Sequence, residues 1–144
     1  MLKRLLAATL AVGFILIGDA TATIAQEPAK QHALSTASIQ AQLRDEIARM
    51  TSLGPKEIEV HVTTVMIRVV LINTGYNDDP PPAREYLAST VSALVNKDAG
   101  TDARYKPIVA LHVEFVKRGL GFTKFVDTIE FRREADGAFA RHQT

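Results

Sequence analysis

The chain contains no cysteine and no tryptophan, and aromatic residues make up only 6% of its 144 positions. Without cysteine there is no disulfide staple, no thiol nucleophile and no thiolate metal ligand, and a lipid-modified cysteine at the head of an exported chain is excluded. With so few aromatics the core must be built from Val, Ile, Leu and Ala. Charge of one sign is missing too. Seventeen Lys and Arg against 16 Asp and Glu give a net charge of +1, so no positive field exists to hold nucleic acid. Nor is there a membrane-length apolar run. The uncharged stretch Leu5–Gly18 would reach about 21 Å as a helix, short of the about 30 Å bilayer core.

What the N-terminus does contain is an address. Met1-Leu2-Lys3-Arg4 is positive, Leu5–Gly18 is apolar, and Asp19–Gln26 is rich in small residues. This order is that of a secretory signal peptide over residues 1–25, with cleavage expected between Ala25 and Gln26. An uncleaved anchor is the alternative. Cleavage removes Lys3, Arg4 and Asp19, so the mature chain carries no net charge. It is expected in the periplasm of a bacterium or outside the cell. Residues 26–144 are enough to bury a core without disulfides.

Residues 26–34 contain Pro28 and no periodicity, and are expected to be a flexible lead-in to one domain over 35–144. Ile39, Leu43, Ile47 and Met50 then recur at helical spacing, with Ser35 or Thr36 as cap and Gly54-Pro55 as stop. Ile58, Val60 and Val62 alternate with Glu57, Glu59 and His61, the pattern of a half-buried strand. Val65–Ile72 is apolar on both faces apart from Arg68, as in a mid-sheet strand. The two pieces read as separate strands joined at Thr63-Thr64, the alternative being one bent strand. Asn73–Pro82 is a loop, with Asp79 as cap and Pro81 or Pro82 in the first turn of a second helix marked by Leu87, Val91, Leu94 and Val95. Two further strands follow, Ile108–Lys117 and Lys124–Arg133, and Asp136-Gly137 turns the chain into a short edge strand. The expected fold is α+β: two helices on one face of a mostly antiparallel sheet of four or five strands, in the order αββαββ(β).

Candidate chemistry is sparse. Glu59 and His61 share the polar face of one strand, and His112 and Glu114 that of another. If those strands are neighbours the four side chains can converge on a divalent cation, which would make the protein a metal-dependent hydrolase or metal carrier. The ordinary alternative is a solvated face with cross-strand charge pairs. Asp127 falls among Phe125, Ile129 and Phe131, where a buried carboxylate acts as acid or base unless a bulge relieves it. Lys117–Lys124 sets Leu120 and Phe122 between basic residues. The pair is a candidate contact for a partner or an anionic membrane surface, the alternative being that both fold back onto the core. Met66, Val70, Ile72, Val116 and Val126 are expected on the sheet face away from the helices, where a second copy or an envelope partner would cover them.

Nucleophilic catalysis has little to work with. The serines Ser35, Ser38, Ser52, Ser89 and Ser92 lie on or beside helices, and no G-x-S-x-G elbow occurs. Asn77-Asp78-Asp79 lacks calcium-loop spacing.

In the C-terminal half, Leu111–Phe115, Asp127–Arg133 and Asp136–His142 resemble a family of small exported bacterial proteins without an assigned activity. The resemblance spans residues 58–144 and implies an exported αβ domain. The helix-strand-strand order is also similar in outline to envelope BON domains, departing from them at Thr63-Thr64, where those domains carry a glycine. The expectation is a non-enzymatic binding domain without a cofactor, acting as a homodimer or with an envelope protein. Membrane contact is expected only through an uncleaved signal or the 117–124 loop.

Overall fold

The computed structural model describes residues 20–142, with side chains from Ser35 onward. The signal-peptide assignment falls mostly outside the described residues; only its end, with the Ala25-Gln26 bond, lies within them.

Helix α1 spans Ala20–Thr51, so it begins well before the expected caps at Ser35 and Thr36. Segment 26–34, read as a flexible lead-in, is helical. Gln, Glu, Ala and Lys in that stretch favour helix, and Pro28 does not interrupt it. The helix stops as expected. Thr51 Oγ1 donates back to the Ile47 carbonyl and Ser52 turns to a left-handed φ of 58° before Gly54-Pro55. A turn of 3₁₀ helix at Pro55–Glu57 leads into β1 (Ile58–Val62), and β2 (Met66–Ile72) returns beside it. Thr63 closes the hairpin by exchanging bonds with Met66.

Helix α2 spans Pro81–Ala99. Its N-cap is Pro80, not Asp79, which leaves Pro81 and Pro82 in the first turn, where a missing N–H costs nothing. Strands β3 (Ala110–Gly119) and β4 (Phe122–Arg133) form a long hairpin, and β5 (Phe139–Arg141) adds a short edge. The sheet order is β1-β2-β3-β4-β5, antiparallel throughout except for β2 and β3, which α2 connects in parallel.

Both helices lie on one face. Ile39, Leu43 and Ile47 of α1 and Leu87, Val91 and Val95 of α2 join Ile67, Val69, Leu71, Leu111, Val113 and Phe115 in one core. Each such aliphatic side chain contributes about 1.5–3 kcal/mol on burial, so the helices are held by their stripes. No helix among the described residues is long and apolar enough to cross a membrane.

The other face carries no helix, yet Val70, Ile72 and Val116 are buried there as a separate cluster. That is the face expected for them, and Met66 points the same way by register. Val126 does not. A bulge opposite Phe115 and Val116 shifts the register of β4, and Val126 packs against the main core.

Candidate functional site

On the open face the pairing fixes a row across the sheet: His61 opposite Arg68, Arg68 opposite His112, and His112 opposite Glu130. The two histidines therefore stand on strands separated by β2, roughly 9–10 Å apart at two strand spacings. Zinc needs its ligand nitrogens within about 2.1 Å of one point. Arg68, a cation, occupies the space between them. The four-residue metal set is thus corrected. Glu59, His61, His112 and Glu114 share a face but do not converge, and among the described residues no group of three His, Asp or Glu is placed to hold a metal ion.

Those carboxylates have other partners. Glu59 receives both Arg118 terminal nitrogens, at 2.7 and 3.3 Å, and lies 3.7 Å from His61 Nε2. The hydrogen-bonded guanidinium holds the Glu59 carboxyl below its usual range. Arg118 is on β3 and Glu59 on β1, so the pair crosses β2 over the Val70–Ile72 cluster. Glu114 is buried 3.6 Å from Arg68 Nε.

Asp127 is also accounted for. The bulge turns Phe125 to the opposite face, where it is 64% exposed, and Arg84 of α2 meets the carboxylate at 2.9 Å. The Arg84 side chain is only 11% exposed. A carboxylate held this way is an anchor between helix and sheet; the acid–base role loses its premise.

One cluster escaped the sequence reading. Asp98, at the end of α2, is buried and accepts from Gln42 Nε2 at 3.1 Å and from the Tyr105 hydroxyl at 3.3 Å. Burial, reinforced by the charge of Glu46, raises the Asp98 carboxyl, and burial raises the fully enclosed Tyr105 hydroxyl. Oε2 of Glu46 is buried without a hydrogen-bond partner. The signal was present: Asp98 continues the stripe Leu87, Val91, Val95 by one turn. These groups tie α1, α2 and the 3₁₀ turn Ala103–Tyr105 together, which is a structural task.

Two surfaces among the described residues bear on binding. The first is the tip of the β3–β4 hairpin. Its strands run on to a two-residue turn, Leu120-Gly121, made possible by a φ of +77° at Gly121. A Cβ at Gly119 would come within 2.3 Å of the Phe122 ring, so glycine there lets the ring lie across the strand. Leu120 is fully exposed, Phe122 59% and Phe125 64% exposed. The alternative in which Leu120 and Phe122 fold back onto the core is thereby excluded. Of the basic flank, Lys117 pairs with Asp78 and Arg118 with Glu59.

The second is a groove of about 340 Å³ between α1 and the outer edge of β1, lined by Ala37, Gln40, Ala41 and Arg44 above and Ile58–His61 below.

Comparison with family models, with curated proteins and with solved structures finds no match to this chain.

Proposed function

We propose that the chain is a non-catalytic interaction domain, exported by its N-terminal segment to the periplasm or beyond, that docks a protein partner through the tip of the β3–β4 hairpin. The observation that carries this reading is the exposure of Leu120, Phe122 and Phe125 on one projecting element. Leu120 and Phe122 stand at the turn and Phe125 on the open face behind it; several large apolar side chains exposed on one short element mark an interaction site, whereas singly scattered ones need no explanation. Three ion pairs support it: Arg68–Glu114, Arg84–Asp127 and Arg118–Glu59 commit these carboxylates and cations to holding the structure together. A protein surface fits better than an anionic membrane. Lys117 and Arg118 are paired with Asp78 and Glu59, which leaves Lys124 as the remaining cation of the flank and weakens attraction to lipid headgroups.

The test is site-specific photocrosslinking in intact cells. A photoactivatable residue at position 122 should give a discrete protein adduct. The same residue at position 45, on the solvated side of α1, should not. No adduct at 122, equal adducts at both positions, or lipid adducts at 122 in place of protein would each overturn the reading.

A further inference from the structure

The two sheet edges are finished differently. On β5 the Phe139 N–H and carbonyl are taken by Asn96 and Ser92 of α2. On β1 the even-numbered residues turn their backbone groups outward. Thr63 bonds to Met66 across the hairpin, whereas the Val62 N–H leaves the sheet and is accepted by Gln40 Oε1 at 3.1 Å, and antiparallel ladders alternate in this way. Ile58 and Val60 therefore present N–H and C=O groups into the groove beneath α1. An unpaired edge of this kind is a template for another strand.

We infer that the occupant is β1 of a second copy of this chain, paired antiparallel about Val60 to continue the sheet across a two-fold axis. The sequence Ile58-Glu59-Val60-His61-Val62 is self-complementary in that register. Val60 meets Val60, Ile58 meets Val62, and each Glu59 faces a His61 of the other copy. The outward backbone groups sit on the even residues, which are those that become hydrogen-bonded pairs, and the Ile58 carbonyl of the second copy replaces Gln40 as acceptor for Val62. Registers shifted by two residues set Glu59 against Glu59 or His61 against His61 and leave strand ends unpaired, so the centred one pairs the most residues and brings each carboxylate opposite an imidazole. Above the junction α1 offers the exposed small residues Ala37 and Ala41, which let the two α1 helices approach. The surface is separate from the hairpin tip and does not rest on its role.

The absence of cysteine makes the register testable. Glu59→Cys and His61→Cys are prepared separately, each at an exposed or half-exposed site, then mixed under mild oxidation. Opposed residues at positions 59 and 61 would have Cα atoms about 4.5 Å apart, while 59 against 59 lies at about 7–8 Å, beyond disulfide reach, so the mixture should cross-link at least ~10-fold more than either variant alone. His61→Glu, which opposes two carboxylates across the axis, should weaken dimerisation in sedimentation equilibrium, and Glu59→Lys/His61→Glu should restore it. Leu120→Ser/Phe125→Ser should leave the mixed-chain disulfide unchanged even where it abolishes the crosslink at position 122. A strict monomer with no mixed disulfide, cross-linking that is equal in the unmixed samples, or loss of the dimer in the hairpin variant would each overturn the pairing.

Discussion

Asn96 grips the backbone of Phe139 from both sides: its Oδ1 accepts the Phe139 N–H at 2.6 Å and its Nδ2 donates to the Phe139 carbonyl at 3.1 Å. One side chain on α2 thus stands in for a sixth strand, and Ser92 adds a bond to the same carbonyl at 3.2 Å. Asn96→Ala should cost about 1–3 kcal/mol, the range for leaving partly buried polar groups without partners. Urea denaturation measures the loss, and amide exchange should show it concentrated in β5. A loss spread evenly over the sheet, or none, would contradict the clamp.

Arg84 and Asp127 should behave as a coupled pair. Their contact is 2.9 Å and mostly shielded on the arginine side, so Arg84→Ala strands a part-buried carboxylate. The expected loss is about 1–3 kcal/mol, and Arg84→Ala/Asp127→Ala should cost less than the two singles added. Strict additivity in a double-mutant cycle would show that the ion pair contributes nothing.

The turn at Leu120-Gly121 depends on one left-handed residue. Gly121 has φ +77° and open space where a Cβ would go, so strain rather than crowding opposes a side chain. Gly121→Ala should destabilise by about 1–2 kcal/mol, the usual cost of placing an L-residue in that region. Because Leu120 and Phe122 are redirected with the turn, crosslinking at position 122 should fall in the same variant. An unchanged denaturation midpoint would mean that the turn relaxes without penalty.

How much of this was legible beforehand follows from the range over which each signal acts. The stripes Ile39, Leu43, Ile47 and Leu87, Val91, Val95 are local periodicities, and they correctly placed two helices on one face. The two-sided apolar strand correctly anticipated the second cluster at Val70 and Ile72. Strand order is not local. His61 and His112 share a face in any arrangement, but whether they meet depends on β2 lying between them, a consequence of the parallel crossover through α2. The bulge at Phe115–Val116 is likewise invisible to a period-two pattern, and it alone moved Phe125 outward and Val126 inward. The start of α1 lies upstream of Ser35 because the helix-favouring residues around Pro28 outweigh the backbone N–H that proline lacks.

Asp98 should make the protein more stable when it is removed. Its carboxyl is raised above 3.8 chiefly by burial and next by Glu46. The folded chain therefore keeps the proton to higher pH than the unfolded chain. Stability from this group is full below 3.8 and declines as pH rises through the interval up to its folded value. Asp98→Asn keeps an oxygen for Gln42 and Tyr105 and removes the charge that burial and Glu46 oppose. Wild type and variant should match in acid, and the variant should gain as pH rises towards neutrality. Glu59 and Asp102, both lowered by arginine hydrogen bonds, act in the opposite direction but are common to both proteins and cancel in the difference. A variant less stable than wild type at neutral pH would refute the account.

Zinc should leave the molecule unmoved. Binding through His61 and His112 would require the two imidazoles to close a gap that β2 and Arg68 occupy. Moving Arg68 aside would separate it from Glu114, whose carboxylate is buried beside it, and an unpaired buried charge costs several kcal/mol. A single histidine with Glu59 is no substitute, because that carboxylate is held by Arg118. Protein purified without an affinity tag should therefore show the same unfolding midpoint with added zinc, with added chelator, and with neither. A stoichiometric zinc site in calorimetry that is lost in both His61→Ala and His112→Ala would mean that the strands rearrange on binding, and it would return metal chemistry to consideration.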